Sequence, residues 1–280
     1  MRLGGPVFLK SDDPGELARE HRRLGYRAAY LPKVELHDKD RIKAIVTEFA
    51  AQDVAIAEVG AWVNMLDPDA EKRRKNLDYV EQRLALAEEG GARCCVDIAG
   101  SYDPKVWYAA NPGNFSREFI DATVENCRSL IDAVKPTRTR FSIEMMPYSF
   151  PSGPDEYLKL VKAVDRKAFA VHLDVCNVIN SPQRMYNNGA VIREYFQKLG
   201  RWIVSCHAKD LTWENYYQVS LREVVPGRGQ IDYKAYLTEL SRVPVDAPLM
   251  LEHLNTAEEY EEAKKHIQGI ARALGLGFEA

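Results

Sequence analysis

Four short apolar segments each end in a side chain that can hold a cation: Phe141-Ser-Ile-Glu144, Val171-His-Leu-Asp174, Val204-Ser-Cys-His207 and Leu249-Met-Leu-Glu252. Glu144, Asp174, His207 and Glu252 together offer three carboxylates and one imidazole. That donor set suits Mn2+, Mg2+ or Co2+, and Zn2+ also accepts it. A buried carboxylate is costly unless it is paired or metal-bound. One acidic residue at a strand end is commonly a helix cap or a lysine partner, and one histidine is commonly a satisfied core residue. Four such residues on four consecutive strands predict a site for one divalent cation, with Mn2+ the leading expectation.

The elements that must position these residues alternate along the chain. Apolar strand-like runs at 2–4, 28–31, 55–59, 93–98, 141–144, 170–174, 203–207 and 249–252 precede helical stretches at 14–25, 41–52, 69–89, 116–134, 154–164, 190–199, 233–243 and 257–274. Strand-then-helix alternation implies a parallel sheet with right-handed crossovers. Eight units in 280 residues imply a closed barrel, so the expected fold is a single (β/α)8 TIM barrel spanning residues 1–280. An open doubly wound sheet is the alternative, but Gly4-Gly5 is too short for its glycine fingerprint, and no nucleotide cofactor is expected. Such barrels keep their active sites at the C-terminal ends of the strands, where all four candidate ligands fall. The segments 99–115, 175–189 and 209–230 are long enough to build a pocket or lid on that rim.

Bulk properties exclude several other roles. With 38 Lys and Arg against 41 Asp and Glu, the net charge is −3, which offers no basic field for nucleic acid or an anionic membrane. No apolar run reaches the ~20 residues of a membrane span, and Met1-Arg-Leu-Gly-Gly-Pro6 lacks a signal peptide's apolar core. Five irregularly spaced cysteines argue against a disulfide framework, and the expected location is the cytoplasm. Cys206 adjoins His207 but should face the other way along its strand.

Five motifs carry a resemblance to a known family: Ile143-Glu144, Leu173-Asp174, His207-Ala-Lys-Asp210, Pro226-Gly-Arg-Gly-Gln-Ile-Asp232 and Leu251-Glu252. With them the chain resembles the sugar isomerase/epimerase superfamily of xylose-isomerase-like barrels, including ketose 3-epimerases, inosose dehydratases and enzymes that process 3-keto-glycosides. The resemblance implies that Glu144, Asp174, His207 and Glu252 hold the metal. It also implies that Glu144 and Glu252 move protons at a carbon beside a carbonyl, through a metal-stabilised cis-enediolate. The substrate would be a small carbohydrate, and the protein a homo-oligomer. Family epimerases often read Asp-x-x-His where this chain reads Asp174-Val-Cys-Asn177, so a lyase or dehydratase acting on a keto-sugar, 3-keto-glycoside or keto-inositol stands as the alternative. A DNA-repair endonuclease of the same fold would need more than the six histidines present. A non-catalytic sugar-binding barrel would not need four intact ligands.

Further residues are expected near the substrate. Asn177 can donate to a hydroxyl, Glu58 can bind sugar hydroxyls or make a structural hydrogen bond, and Trp62 can stack on a sugar face or pack in the core. Lys209 can stabilise an oxyanion or pair with a rim carboxylate, and Arg228 can meet a carboxylate or phosphate or lie on the surface. His172, on the same face as Asp174 and one layer deeper, reads as a hydrogen-bond partner of the ligands. Trp107, Tyr108, Tyr148, Trp213, Tyr216 and Tyr217 enrich the rim with aromatic surface, which suits a sugar ring or a subunit contact.

Overall fold

The computed structural model describes residues 1–278. Eight parallel strands close into a barrel: β1 (Leu3–Gly4), β2 (Ala28–Tyr30), β3 (Ala55–Gly60), β4 (Cys94–Ile98), β5 (Phe141–Glu144), β6 (Phe169–Asp174), β7 (Ile203–Ala208) and β10 (Leu249–Leu251). β10 closes the ring by pairing with β1 on one side and β7 on the other. Glu252 therefore lies one residue past its strand rather than at its end.

Side-chain caps start several of the helices. Asp13, Asp69, Ser116 and Thr256 each accept a backbone N–H from the first turn of the helix that follows. Gly91, at φ +63°, ends the helix Ala70–Gly90 in a left-handed turn. The helix Asn188–Leu199 begins two residues before the expected start at 190.

The three long segments carry elements of their own, in 99–115 only the 3-10 turn Pro112–Phe115. Residues 175–189 contain the short helices Val175–Val178 and Pro182–Tyr186. Residues 209–230 contain an antiparallel hairpin, β8 (Asp210–Trp213) against β9 (Leu221–Val224), outside the barrel. No described helix is long and apolar enough to cross a membrane. All five cysteines are free and buried, and Cys206 packs into the main core on the helix side of its strand.

The inside of the barrel is layered. Cys94, Val96, Ala170 and Val204 form one small apolar cluster, and Ala28, Ala57 and Met250 another. Beside them lies a polar group of Glu58, His172, Ser205 and His207, each at most 1% exposed. Two register slips make room for it. Against β2, Ala29 pairs with Ile56 and Tyr30 with Glu58, so Ala57 is an extra residue; Ala57 and Glu58 both turn inward. Against β6, Val171 pairs with Ile203 and His172 with Ser205, so Val204 is extra; Val204 and Ser205 both turn inward. A bulge of this kind re-aims side chains that strict alternation would send elsewhere.

Candidate metal centre and pocket

Each candidate ligand is fixed by its own local structure. Asp174 caps the helix that follows it: Oδ1 accepts the Cys176 N–H at 2.8 Å, which leaves Oδ2 turned to the site. Glu144 sits at the end of β5, where the buried Tyr157 hydroxyl donates to the Ile143 carbonyl at 2.6 Å. The strand bearing His207 is held in the same way, because the Tyr236 hydroxyl donates to the His207 carbonyl at 2.9 Å. Tyr233 donates to the Lys209 carbonyl at 2.8 Å.

The ligand atoms of Glu144, Asp174, His207 and Glu252 all lie within 4.8 Å of one another. His207 Nδ1 is 2.7 Å from Glu252 Oε1, 3.4 Å from Glu144 Oε1 and 3.7 Å from Asp174 Oδ2. Its other nitrogen is committed: Nε2 lies 3.1 Å from Glu58 Oε2. Glu58 Oε1 in turn meets His172 Nε2 at 3.0 Å and accepts a short bond from the Ser205 hydroxyl. With Glu58 ionised, Nε2 carries the proton, and Nδ1 is the nitrogen that faces the carboxylates.

The electrostatics favour positive charge at the centre. Burial works against His207 being charged, but Glu58, Glu252 and Glu144 outweigh it and hold the imidazole well above its usual range. Burial raises the Glu144 carboxyl, and neighbouring Asp174 adds to the rise against the pull of His207. For Asp174, burial is overcome by Lys209 and His207, which hold its carboxyl well below the ordinary value. Glu252 is lowered for the same reasons, with His207 the stronger partner. Lys209 Nζ lies 2.8 Å from Asp174 Oδ2 and 2.6 Å from Glu252 Oε1. Asp174 Oδ2 and His207 Nδ1 make no well-aligned hydrogen bond, although Lys209 and Glu252 stand 2.8 and 2.7 Å from them. A hard divalent cation meets each of these demands, so the donor set fits one.

A cavity of about 460 Å³ opens over this floor. Trp62, Ile98, Trp107, Tyr108 and Met146 line it together with Glu144, Asn177, Lys209 and Glu252. Trp62 adopts φ +48°, and its ring lies 6.4 Å from that of His207. Gly60 is required beneath it, since a Cβ there would meet the Trp62 ring nitrogen at 2.1 Å. Asn177 Nδ2 donates to Glu144 Oε1 at 2.9 Å, so this residue orients a ligand as well as facing the cavity.

The structure corrects two expectations. Glu58 does not face a substrate: it is 1% exposed beneath the floor, and the bulge in β3 ties it to His172, His207 and Ser205. Arg228 does not reach the ligand cluster, because its guanidinium already forks onto Glu262 at 2.8 and 2.5 Å on the outer wall. Of the six rim aromatics, Trp107 and Tyr108 reach the cavity, whereas Tyr216 and Tyr217 lie exposed in the hairpin turn. Lys209 does face the pocket, and it pairs with the ligands themselves.

The sequence motifs around Asp210 find a structural reason here. Its carboxylate accepts the backbone N–H groups of Leu211, Gly227, Gly229 and Ile231 and so gathers the whole 226–232 loop. A Cβ at Gly229 would lie 2.3 Å from Asp210 Oδ1, and Gly227 sits at φ +101°.

A family model for xylose isomerase-like TIM barrels matches residues 18–270. Among curated proteins none matches the sequence. Solved structures share the fold at low identity. A D-psicose 3-epimerase from Clostridium cellulolyticum H10 is 14% identical, with a TM-score of 0.69, covering 99% of this chain and 100% of that one. The probable 3-DHS dehydratase AsbF from Bacillus anthracis is 15% identical, with a TM-score of 0.71 and coverage of 96% and 98%. Endonuclease IV from Thermus thermophilus is 14% identical, with a TM-score of 0.74 and coverage of 98% and 100%.

Proposed function

Since the chain belongs to the xylose isomerase-like TIM barrels, we propose that it is a divalent-metal-dependent isomerase or epimerase of a keto-sugar. The observation that carries this reading is the convergence of Glu144 and Glu252 on His207 Nδ1, at 3.4 and 2.7 Å, on the floor of an aromatic-walled cavity. Two carboxyls that face one centre from different strands are suited to acid and base roles. Glu252 takes the proton from the carbon beside the carbonyl, and Glu144 returns one to the resulting enediolate. Glu144, Asp174, His207 and Glu252 would hold the cation, which when bound supplies electrostatic stabilisation for charge developing on the substrate oxygens. Trp62 presents a ring to the sugar face, and Asn177 and Lys209 offer donors to its oxygens.

The wider reading is a small-molecule carbohydrate enzyme that works as a homo-oligomer in the cytoplasm with Mn2+. Exposed Tyr186, Tyr216 and Tyr217 support a subunit contact, and the free cysteines support a reducing compartment. A lyase is the second reading. It shares the first proton abstraction and then expels a β-substituent, and Lys209, only 5% exposed beside Glu252, is placed to stabilise the departing oxygen.

The test is proton exchange. Mg2+-loaded protein is incubated in D2O with ketoses, 3-keto-glycosides and keto-inositols and followed by NMR. Deuterium beside the carbonyl with an epimer or aldose accumulating supports the isomerase, and loss of that proton with a released group supports the lyase. Glu252→Gln should slow exchange by about a hundredfold or more while keeping most of the metal affinity. A fully active Glu252→Gln protein would remove Glu252 from the proton path.

A further inference from the structure

The pocket over the metal centre is not alone. A second cavity of about 430 Å³ adjoins it, lying between the β8–β9 hairpin and the segment after β10. The two share Lys209, Glu223, Glu252 and His253 in their walls. Each falls in the ~300–1,000 Å³ range of small-molecule sites. A monosaccharide reacting at Glu144 and Glu252 occupies the inner one and leaves the outer one to water.

We infer that the outer cavity is a subsite for a second sugar unit, and that the substrate is a ketose carrying a glycosyl group. This rests on the proposed chemistry at the metal centre. The outer walls are balanced in charge, with Arg222 and Arg228 facing Glu223 and Glu259; Thr212 and Asn255 add further polar groups, and Trp213 and Leu254 add apolar surface. The Arg228 fork is filled by Glu262, which leaves Arg222, loosely paired with Glu214 at 3.9 Å, as the open guanidinium of the wall, beside the carboxylates of Glu223 and Glu259. Mixed acidic, basic and amide groups match a neutral ring of hydroxyls, each of which both donates and accepts.

The junction between the cavities is formed by side chains that line both. Glu223 and His253 pair at 2.9 Å, and Glu223 lies 3.8 Å from Lys209. Both members of the pair are open to solvent, at 41% and 58%. His253 sits at φ +58°, an uncommon conformation for a residue other than glycine, immediately after Glu252. Such backbone strain persists where the surrounding structure requires it, and it concentrates at ligand sites. Here it accompanies a ring that stands where the two cavities join.

The experiment is calorimetric titration of the Mg2+-loaded full chain with D-fructose and with three ketose disaccharides: lactulose, isomaltulose and turanose. At least one disaccharide should bind roughly tenfold or more tightly than D-fructose. Arg222→Ala and, separately, Thr212→Trp should each collapse that ratio toward one. Arg222 is largely exposed, so its truncation tests the subsite even if the tryptophan variant fails to fold. Equal or weaker binding of all three disaccharides, or a preference that survives in Arg222→Ala, would overturn the subsite. Deuterium exchange separates the two ideas. Exchange into D-fructose without any disaccharide preference sinks the subsite and keeps the chemistry. A disaccharide preference without exchange into any of the four sugars keeps the subsite and sinks the chemistry.

Discussion

His207 meets carboxylates on both of its nitrogens, and the two sides do different jobs. Nδ1 faces Glu252, Glu144 and Asp174, whereas Nε2 is held by Glu58 from below. Burial alone would raise the Glu58 carboxyl, but the two imidazoles outweigh it and keep the group ionised. Glu58 is therefore a positioning residue, fixing the ring and its tautomer. Glu58→Gln should weaken Mn2+ binding by about 10- to 100-fold, read by calorimetric titration, with Glu144, Asp174 and Glu252 untouched. Unchanged affinity would show that the ring is oriented by its other contacts. The clustering of Glu144, Asp174, His207 and Glu252 was legible in the sequence because each ends an apolar run. The Glu58–His207 contact was not, since it spans 149 positions and depends on a bulge that leaves no mark in composition.

At the scale of elements, single carboxylates organise whole connections. Asp210 gathers four backbone N–H groups, that of Leu211 beside it and three from the loop that follows the hairpin. Asp210→Ala should cost about 2–4 kcal/mol in denaturant unfolding, because donors that water cannot fully satisfy are left unpaired. Glu88 does the same on the opposite side of the molecule, accepting the N–H groups of Thr137, Arg138 and Thr139 and the Thr137 hydroxyl. Partial burial would raise its carboxyl, yet these donors lower it from 4.5 to about 2. A lowered folded value means that the stabilisation is complete above pH 4.5 and fades as pH falls toward 2. Glu88→Gln should thus destabilise by about 1–2 kcal/mol at pH 7, and the gap from the parent should narrow steadily below pH 4.5. A gap that stays constant with pH would assign the loss to shape rather than charge. Barrel strands were readable from their buried apolar runs. The β8–β9 hairpin was not, because β9 is only partly buried or exposed along its length and has no apolar stripe to announce it. The role of Asp210 was visible only as a spacing between two motifs, without the hydrogen bonds that explain it.

For the whole molecule, three carboxylates brought together at the mouth of a closed barrel make stability depend on what balances them. A ligand that binds only the folded state stabilises it by about 2.7 kcal/mol at a hundred times its dissociation constant. For a chain of this size that corresponds to a rise in Tm of roughly 5–10 °C, which differential scanning fluorimetry with and without Mn2+ would read. A Tm indifferent to Mn2+ and to chelator would argue that the four ligands do not act as one site. The closed eight-stranded order followed from the strand–helix count, but the interior did not follow from alternation. Ala57 and Val204 are each one residue more than a regular ladder needs, so on each strand two consecutive side chains turn inward, Ala57 with Glu58 and Val204 with Ser205. Removing Ala57 would restore a regular ladder yet leave Glu58 pointing inward, directly after the outward-packed Ile56; what the barrel would lose is a second inward side chain, Ala57 itself, from the cluster with Ala28 and Met250. The difference between the two barrels is one of length, so a lineage that explored only point substitutions would not pass from one to the other; it would need an inserted codon.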